Sequence, residues 1–406
     1  MKARRMRLTT WRRVGALVGL AVGWGAASAF GPALVMAAEM PFMLGSWEGR
    51  AVEIQGDRPV PCPLRIEIIR QEGALLWGYD VWRPTDPTGA VSTEALGVRL
   101  MGSLNPEGTG GVLVKEGASF SFRFLDPGRM ELEYVGIGQA APRAFVTTMF
   151  RRGGTPATPP IPECPDMTGS WQGTYRYPAP EGAINDVFRL DLAKQEADIL
   201  WMDDVWHALD PDSGQPRAAE TRDRVIGGFA PDAMRGILAK PDARFAFRRL
   251  DDHRMQVEFA RMGGSVEHTM AFYCILRRNG ETESATEVEW PDLMGSWAGT
   301  ASFPQSDGVK TNAFRIEISR QDGPLLWAEN VWHPLGSDSG QPGAMIVRES
   351  LRGSLHPAAN SGVLAQAGAQ FRFRILSADR MQVEFIRLRP GAESPMAFYS
   401  LLERAP

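Results

Sequence analysis

The chain has 406 residues, which exceeds the roughly 250–300 residues at which a single hydrophobic core stops growing, so several domains are expected. Its 44% hydrophobic and 23% charged residues are ordinary for a folded protein and argue against extensive disorder. A formal net charge of -4 argues against the basic surface on which nucleic-acid binding depends, so no nucleic-acid partner is expected.

Residues 1–38 are predicted to be a signal peptide or an N-terminal anchor. A basic start is followed by a run without charge from Val14 to Ala38, which is typical of an export signal. Small-x-small sequences that end at Ala29 and Ala37 offer two cleavage sites. We therefore expect an exported protein, periplasmic or secreted, with a membrane contact only if this segment stays uncleaved as an anchor.

The rest of the chain contains three copies of one unit. Gly-Ser-Trp occurs three times, and a Leu-Trp and a Val-Trp follow it at fixed distances. The third tryptophan of each copy follows the first by 35 residues, in the pairs Trp47 and Trp82, Trp171 and Trp206, and Trp297 and Trp332. Spacing this constant indicates an internal duplication.

The copies and the segments between them set the expected domains. The three repeats span 41–153, 165–279 and 291–406. A proline-rich linker, 154–164, is expected to be extended and stiff, and an acidic linker, 280–290, is expected to be solvated. Each unit is large enough to hold a core of its own.

Hydrophobicity within a unit alternates with period two, which predicts strands. In the third copy Phe314, Ile316 and Ile318 alternate with polar residues, and turn sequences such as Asp126-Pro127-Gly128 separate similar runs. We count about eight strands per unit. The sequence therefore predicts an all-β fold of three tandem eight-stranded antiparallel up-and-down β-barrels, with β-sandwich units as the alternative.

A family resemblance rests on the Gly-x-Trp at the start of each unit. In that position it resembles the calycin group of lipocalin and avidin-type barrels. The resemblance implies that an arginine of the last strand, here Arg152, Arg278 or Arg404, stacks over the first tryptophan in a cation–π contact. It does not imply biotin binding, because the polar residues that contact biotin in avidins have no counterpart.

The aromatic residues suggest both a core and a candidate binding surface. Leu75, Trp77, Tyr79 and Val81 are expected to point inward and to fill the first barrel with the phenylalanines of a later hairpin, or to line a pocket there. The last tryptophan of each unit follows the Leu-Trp tryptophan by five residues, so it is expected on the opposite face of the strand, facing outward or capping a barrel end. There it could stack on a sugar or a protein partner, or could contact a neighbouring unit. These residues are Trp82, Trp206 and Trp332.

The second unit departs from the pattern at two positions. Asp203 and Arg249 replace aromatic residues of the first copy on the face predicted to be inward, the face that also carries Trp201. A buried unpaired charge is costly, so the two either pair, line a wet cavity or lie at the rim in water. If they reach inside, the second unit is the expected place for a small polar ligand.

Two further sets of residues have simpler interpretations. Cys164 and Cys274 are the best candidates for a disulfide, with unpaired thiols as the alternative. Opposite charges are expected to pair across a predicted hairpin: Arg123 with Glu133, Arg248 with Glu258, and Arg374 with Glu384.

The sequence contains no catalytic motif, no metal-ligand spacing and no cofactor fingerprint, and none of its five histidines recurs in all three units. The first hypothesis is an exported, non-enzymatic protein that binds a small molecule, a glycan or a protein. The second is a structural scaffold of three filled barrels, and an enzyme comes third.

Overall fold

The fold is all-β in a computed structural model that describes residues 40–55, 58–83, 92–137, 143–153, 163–209, 216–263, 269–278, 288–334, 345–388 and 395–405. Twenty-four antiparallel strands form three closed barrels of eight strands each, in which neighbours in sequence are neighbours in space. The predicted fold class is confirmed.

The first barrel closes by pairing its first strand with its last. Its strands are β1 Gly45–Gln55, β2 Arg58–Glu72, β3 Leu75–Trp82, β4 Leu96–Leu104, β5 Gly110–Lys115, β6 Ala118–Asp126, β7 Arg129–Gly136 and β8 Arg143–Arg151.

The second barrel has the same order and closes through β9 and β16. Its strands are β9 Gly169–Pro178, β10 Ala183–Glu196, β11 Ile199–Leu209, β12 Pro216–Phe229, β13 Arg235–Lys240, β14 Ala243–Arg249, β15 Arg254–Arg261 and β16 Met270–Arg278.

The third barrel closes through β17 and β24. Its strands are β17 Gly295–Gln305, β18 Gly308–Asp322, β19 Leu325–Pro334, β20 Val347–Leu355, β21 Ser361–Gln366, β22 Ala369–Ser377, β23 Arg380–Arg387 and β24 Met396–Arg404.

Each barrel holds its own apolar core, centred on the first tryptophan of the unit. Trp47, Trp171 and Trp297 are fully buried, and each indole N–H donates to a backbone carbonyl four residues earlier. Arg278 and Arg404 lie over Trp171 and Trp297 at 5.5 and 4.8 Å from the ring centroids. In the first unit the arginine is Arg151, at 5.6 Å, and not the expected Arg152.

The predicted faces of the Leu-Trp strand are wrong by one residue. Leu76, not Trp77, belongs to the first core, and Leu200 and Met202 flank Trp201 in the second. Because side chains alternate along a strand, Trp77 and Trp201 lie on the outer face. The outer face is apolar because it packs on other units: Trp77 Nε1 donates to the Gln305 carbonyl of the third unit at 2.9 Å.

The three barrels pack on one another through equivalent strands. Strand β8 contacts β12 and β13, β16 contacts β20 and β21, and β24 contacts β4 and β5, so the same surface is used three times and the set closes on itself. Residues from all three units share one apolar cluster, which includes Val112, Ile237 and Ile386. The three units therefore pack directly against one another.

The signal segment, the linkers and the cysteines were also assigned expected roles from the sequence. The signal segment and most of both linkers lie outside the described residues. Cys164 and Cys274 are free thiols and form no disulfide, and burial raises the pKa of Cys164 to about 11. Within the described part of the chain, no helix is long and apolar enough to cross a membrane.

Candidate functional site: the polar end of the second barrel

The structure separates the two charged residues on which the sequence-based site depended. Asp203 lies on the outer face and accepts a hydrogen bond from Arg224 Nε at 3.0 Å. Arg249 lies at the end of β14, where its guanidinium contacts Asp252 Oδ1 at 2.6 Å. Of the alternatives left open for Asp203 and Arg249, pairing with each other is therefore wrong, and Trp201 faces away from the interior.

The inward-facing acid is the next residue, Asp204, which is 1% exposed. Its Oδ2 lies 2.6 Å from Lys240 Nζ, and Lys240 also contacts Asp223 Oδ2 at 3.0 Å. Burial raises the pKa of the Asp204 carboxyl. Burial alone would raise the pKa of Asp223 as well, but the Lys240 ammonium holds it below its usual value.

The later tryptophans lie on the inner face, so of the two expectations, facing outward or capping a barrel end, the first is wrong. Trp332 belongs to the third core, and Trp82 and Trp206 are half-buried at the matching positions. Trp206 Nε1 donates to Asp223 Oδ2 at 3.0 Å, and Lys240 Nζ lies 5.6 Å from its ring centroid. Trp206 thus forms an aromatic wall beside the buried charges.

A second polar group lies at the same end of the barrel, where β9 and β11 end and β10 begins. Asp186 is 9% exposed, and its Oδ1 lies 3.0 Å from His207 Nδ1. Tyr175 donates to Asp186 Oδ2 at 3.3 Å and stacks on Tyr177, with ring centroids 5.3 Å apart. Burial, reinforced by Asp186, raises the pKa of both tyrosines, which keeps their hydroxyls protonated donors.

At the described positions that match Asp186 and Tyr175, the other two barrels have different residues. The strand registers place Cys62 and Asn312 opposite Ala51 and Ala301, where the second barrel has Asp186 opposite Tyr175. The third barrel keeps a histidine, His333, at the position of His207, but without the facing carboxylate. The polar end of the second barrel, defined here by Tyr175, Tyr177, Asp186, Trp206 and His207, is thus specific to one unit.

Sequence reasoning missed this group for an identifiable reason. Assigning Trp201 to the interior moved every residue of β11 to the wrong face, which made Asp203 the inward acid in place of Asp204. Asp186 and Tyr175 escaped notice because neither belongs to a repeated motif. A comparison of β9 and β10 with the matching strands of the other units would have marked both residues. The other units have alanine at the position of Tyr175 and a residue without a carboxylate at the position of Asp186.

A second ionic cluster lies where the three barrels meet. The β6–β7 register pairs Arg123 with Glu131, two residues from the predicted partner, and Arg248 and Arg374 face Gln256 and Gln382. The repeated glutamates Glu133, Glu258 and Glu384 instead point between the units, because their strand neighbours Leu132, Val257 and Val383 lie in the barrel cores.

Two arginines join these glutamates. Arg372 donates to Glu258 Oε1 at 2.7 Å and lies 3.9 Å from Glu384. Arg244, which is 3% exposed, lies 3.6 Å from Glu133 and 4.0 Å from Glu258. Burial lowers the pKa of Arg244 to about 10. The charges are largely compensated within the protein, so this cluster is suited to holding the barrels together.

Among the described residues, no group of histidine, cysteine and acidic side chains is arranged to hold a metal ion. No family model matches the sequence, and no curated protein matches it. The chain is similar to the crystal structure of a protein of unknown function from the DUF3598 family of Nostoc punctiforme. Sequence identity is 12% and the TM-score is 0.20, over 59% of this chain and 96% of the other. A similarity this low assigns no function.

Proposed function

We propose that the protein is an exported, non-catalytic binding protein whose ligand site is the polar end of the second barrel. The proposal is supported by one observation: a buried carboxylate, Asp186, holds a histidine and a tyrosine, whereas the other two barrels have Cys62 and Asn312 at the position of this carboxylate. Burial of polar groups is costly, and barrels of this sequence fold without them, so a role beyond stability is the better explanation.

The chemistry of this end favours a small polar molecule. Tyr175, Tyr177 and Trp206 offer aromatic surface, and the imidazole of His207 reaches solvent, with a side chain 22% exposed. Aromatic walls with a few convergent hydrogen-bonding groups are typical of sites for hydroxylated or ammonium-bearing ligands. The resemblance to the calycin group fits this use, because an eight-stranded barrel of that kind has an interior wide enough to hold one small ligand.

Binding can be tested with a defined set of probes: monosaccharides, amino acids and primary amines, each titrated while intrinsic tryptophan fluorescence and native mass are recorded. Asp186→Asn should abolish the binding of whichever probe binds, because it removes the anchor of His207. His333→Ala, in the third unit, is the matched control and should bind as the unaltered protein does. Absence of binding by every probe, or binding unchanged by Asp186→Asn, would overturn the proposal.

A scaffold is the second candidate, and the packing of the three barrels favours it. Equivalent surfaces and a shared apolar cluster make one body with three similar outer faces. If all small-molecule probes fail, affinity capture with immobilised protein and a Trp82→Ala control would test for a macromolecular partner.

Export is part of the proposal and has its own test. Mature protein isolated from outside the cytoplasm should begin after Ala29 or Ala37. Protein that keeps Met1 and sediments with membranes would instead support an N-terminal anchor.

A further inference from the structure

Three neighbouring strands bring an amine and two carboxyl groups together inside the second barrel. Asp204 lies on β11, Asp223 on β12 and Lys240 on β13. The side chains of Lys240 and Asp204 are 3% and 2% exposed, and Nζ lies 2.6 Å from Oδ2. The other oxygen, Asp204 Oδ1, is buried without a hydrogen-bond partner among the described residues. Asp80 Oδ1 in the first barrel is buried in the same way, so what sets the second barrel apart among the described residues is Asp223, a third titratable group in contact with the amine.

We infer that Lys240 and Asp204 form an intramolecular amide cross-link in the mature protein. The ammonium first gives a proton to the carboxylate, which leaves a neutral amine and a carboxylic acid. Nζ then attacks Cγ of Asp204, the Nζ–Cγ bond forms, one Cγ–O bond breaks, and the oxygen leaves as water with two protons. Ammonium and carboxylate thus become amide and water, with no oxidant, reductant or co-reactant. The inference is independent of the proposed ligand site.

The close approach of Lys240 Nζ to the Asp204 carboxyl is the main factor that accelerates amide formation. Amide formation from free acid and amine is slow in water, but well-oriented intramolecular reactions reach effective molarities on the order of 10⁵–10⁸ M. The surroundings are apolar as well, since Lys240 Nζ lies 5.8 Å from the Phe259 ring centroid. An apolar site favours the neutral amine and acid over the ion pair, and it favours loss of the water formed.

Proton transfer within the pair is the step that the surroundings must assist. Burial alone would lower the pKa of the Lys240 ammonium, but the Asp204 and Asp223 carboxylates outweigh it and raise that pKa. A raised pKa opposes loss of the ammonium proton to solvent, so the proton has to pass directly to a carboxylate in contact with Nζ. The raised pKa of Asp204 makes that residue the natural acceptor.

Asp223 is placed to act as the proton relay. Its Oδ2 lies 3.0 Å from Lys240 Nζ, and the Trp206 indole N–H, also at 3.0 Å, fixes its orientation. Its side chain is 39% exposed, so protons and the released water have a path outward. General acid–base assistance by a carboxyl in contact with the amine is what both the attack and the departure of water require.

The other two barrels are internal controls. In the first, Lys115 Nζ lies 2.5 Å from Asp80 Oδ2, but Val98 occupies the position of Asp223. In the third, Asn330 and Gln366 stand where the acid and the amine would be, so no amine is present. The first barrel thus has the pair without the relay, and only the second has all three groups.

The intact mass of the purified full-length chain tests the inference directly. We expect the mass to fall short of the value for its sequence by one water molecule, and not by two. Trypsin should yield one branched species in which peptide 195–217 is joined to peptide 236–244, again with the loss of one water. A full, unreduced mass together with two separate peptides overturns the inference.

Variants separate the chemistry from folding. Asp223→Asn keeps the shape of the relay and should slow or stop water loss while circular dichroism stays unchanged. Lys240→Met removes the amine and should abolish the branched peptide and lower the melting temperature. Val98→Asp supplies the missing relay to the first barrel and should add a second water loss, between Lys115 and Asp80. Water loss that persists in Lys240→Met, or that Asp223→Asn leaves at its original rate, would overturn the assignment of these residues.

Discussion

The barrel interiors and the place where the three barrels meet, here called the axis and defined by Glu133, Glu258 and Glu384, derive from the same duplicated strands. Their residues have nevertheless diverged to different extents among the three units. The interior keeps the same tryptophan in all three units, because each closed barrel must fill the same volume. At the axis the three copies of one glutamate meet one another, and three like charges at close range are unfavourable. Duplication therefore preserves what each unit needs alone and forces change where copies meet.

The compensating residues show how that change was made. Opposite the repeated glutamates the strands carry Ser121, Ala246 and Arg372, and Arg244 enters from a different position of the second unit. Tyr273 and Tyr399 donate to Glu258 and Glu384, at 2.9 and 2.5 Å. Symmetric carboxylates are thus balanced by an asymmetric set of donors, so the glutamates recur in the sequence and their partners do not.

The largest expected effect concerns an interior residue. Trp171→Ala removes a fully buried indole and its hydrogen bond to the Met167 carbonyl, and should lower the free energy of unfolding by roughly 3–5 kcal/mol. Met345→Ala, at a residue 63% exposed, is the control and should change it by less than about 0.5 kcal/mol. Chemical denaturation monitored by circular dichroism measures both. An unchanged transition for Trp171→Ala would contradict the assignment of this residue to the core.

The axis should respond nearly as strongly to the loss of one charge. Glu258→Gln leaves Arg372 and Arg244 with too little negative charge nearby and should cost about 3 kcal/mol. Glu133→Gln, at an equivalent residue with a side chain 27% exposed, should cost clearly less, because solvent screens the charge that remains. Equal effects of the two substitutions would mean that the axis is not held by buried charge pairing.

Acid should weaken the same contact. Burial alone would raise the pKa of Glu258, but Arg372 and Arg244 hold it below the usual 4.5. A carboxyl with a lowered folded-state pKa stabilises the fold above the unfolded-state value, and that stabilisation is lost as pH falls through the folded-state value. The difference in unfolding free energy between the unaltered protein and Glu258→Gln should therefore shrink below pH 4.5, by about 1.4 kcal/mol for each unit of pKa shift. A difference that stays constant with pH would contradict this.

The sequence predicted the parts of the fold that depend on local pattern and failed where long-range packing intervenes. Strand number, closure and the repeated unit follow from period-two alternation and short turns. The faces of the Leu-Trp strand were misassigned because both faces are apolar, one toward the barrel core and the other toward the next unit, as the Trp77 contact with Gln305 demonstrates. Alternation cannot distinguish two buried faces.

Hairpin register was the second limit. Turn geometry fixes which residues face each other, and it pairs Arg123 with Glu131 in the first unit and Arg248 with Gln256 in the second. The sequence prediction placed the partner two residues further along the strand, on Glu133 and Glu258, and so assigned these glutamates to the hairpins and not to the contact between the barrels. The sequence pointed to the second unit because of Asp203 and Arg249, whereas the residues that set this barrel apart in the structure are Tyr175 and Asp186.

The smallest expected effect compares two equivalent tryptophans on the outer faces of the second and third barrels. Trp327 Nε1 donates to the Ala179 carbonyl of the second unit at 2.7 Å, whereas Trp201 Nε1 is buried with no acceptor among the described residues. A cation lies over each ring, Arg320 at 4.3 Å and Lys194 at 4.7 Å, so the surroundings are otherwise alike.

Replacement by phenylalanine removes a similar part of the ring at both positions, but it breaks a hydrogen bond at only one. Trp327→Phe should cost about 1 kcal/mol more than Trp201→Phe, because it breaks the shorter of two hydrogen bonds to the Ala179 carbonyl, the other coming from Gly182 N–H at 3.3 Å, while Trp201→Phe removes an unsatisfied polar group. Parallel denaturant titrations of the two variants measure this difference. A larger cost for Trp201→Phe would imply that its indole N–H has an acceptor in the folded protein, and that the second barrel is tied to a neighbour as the third is.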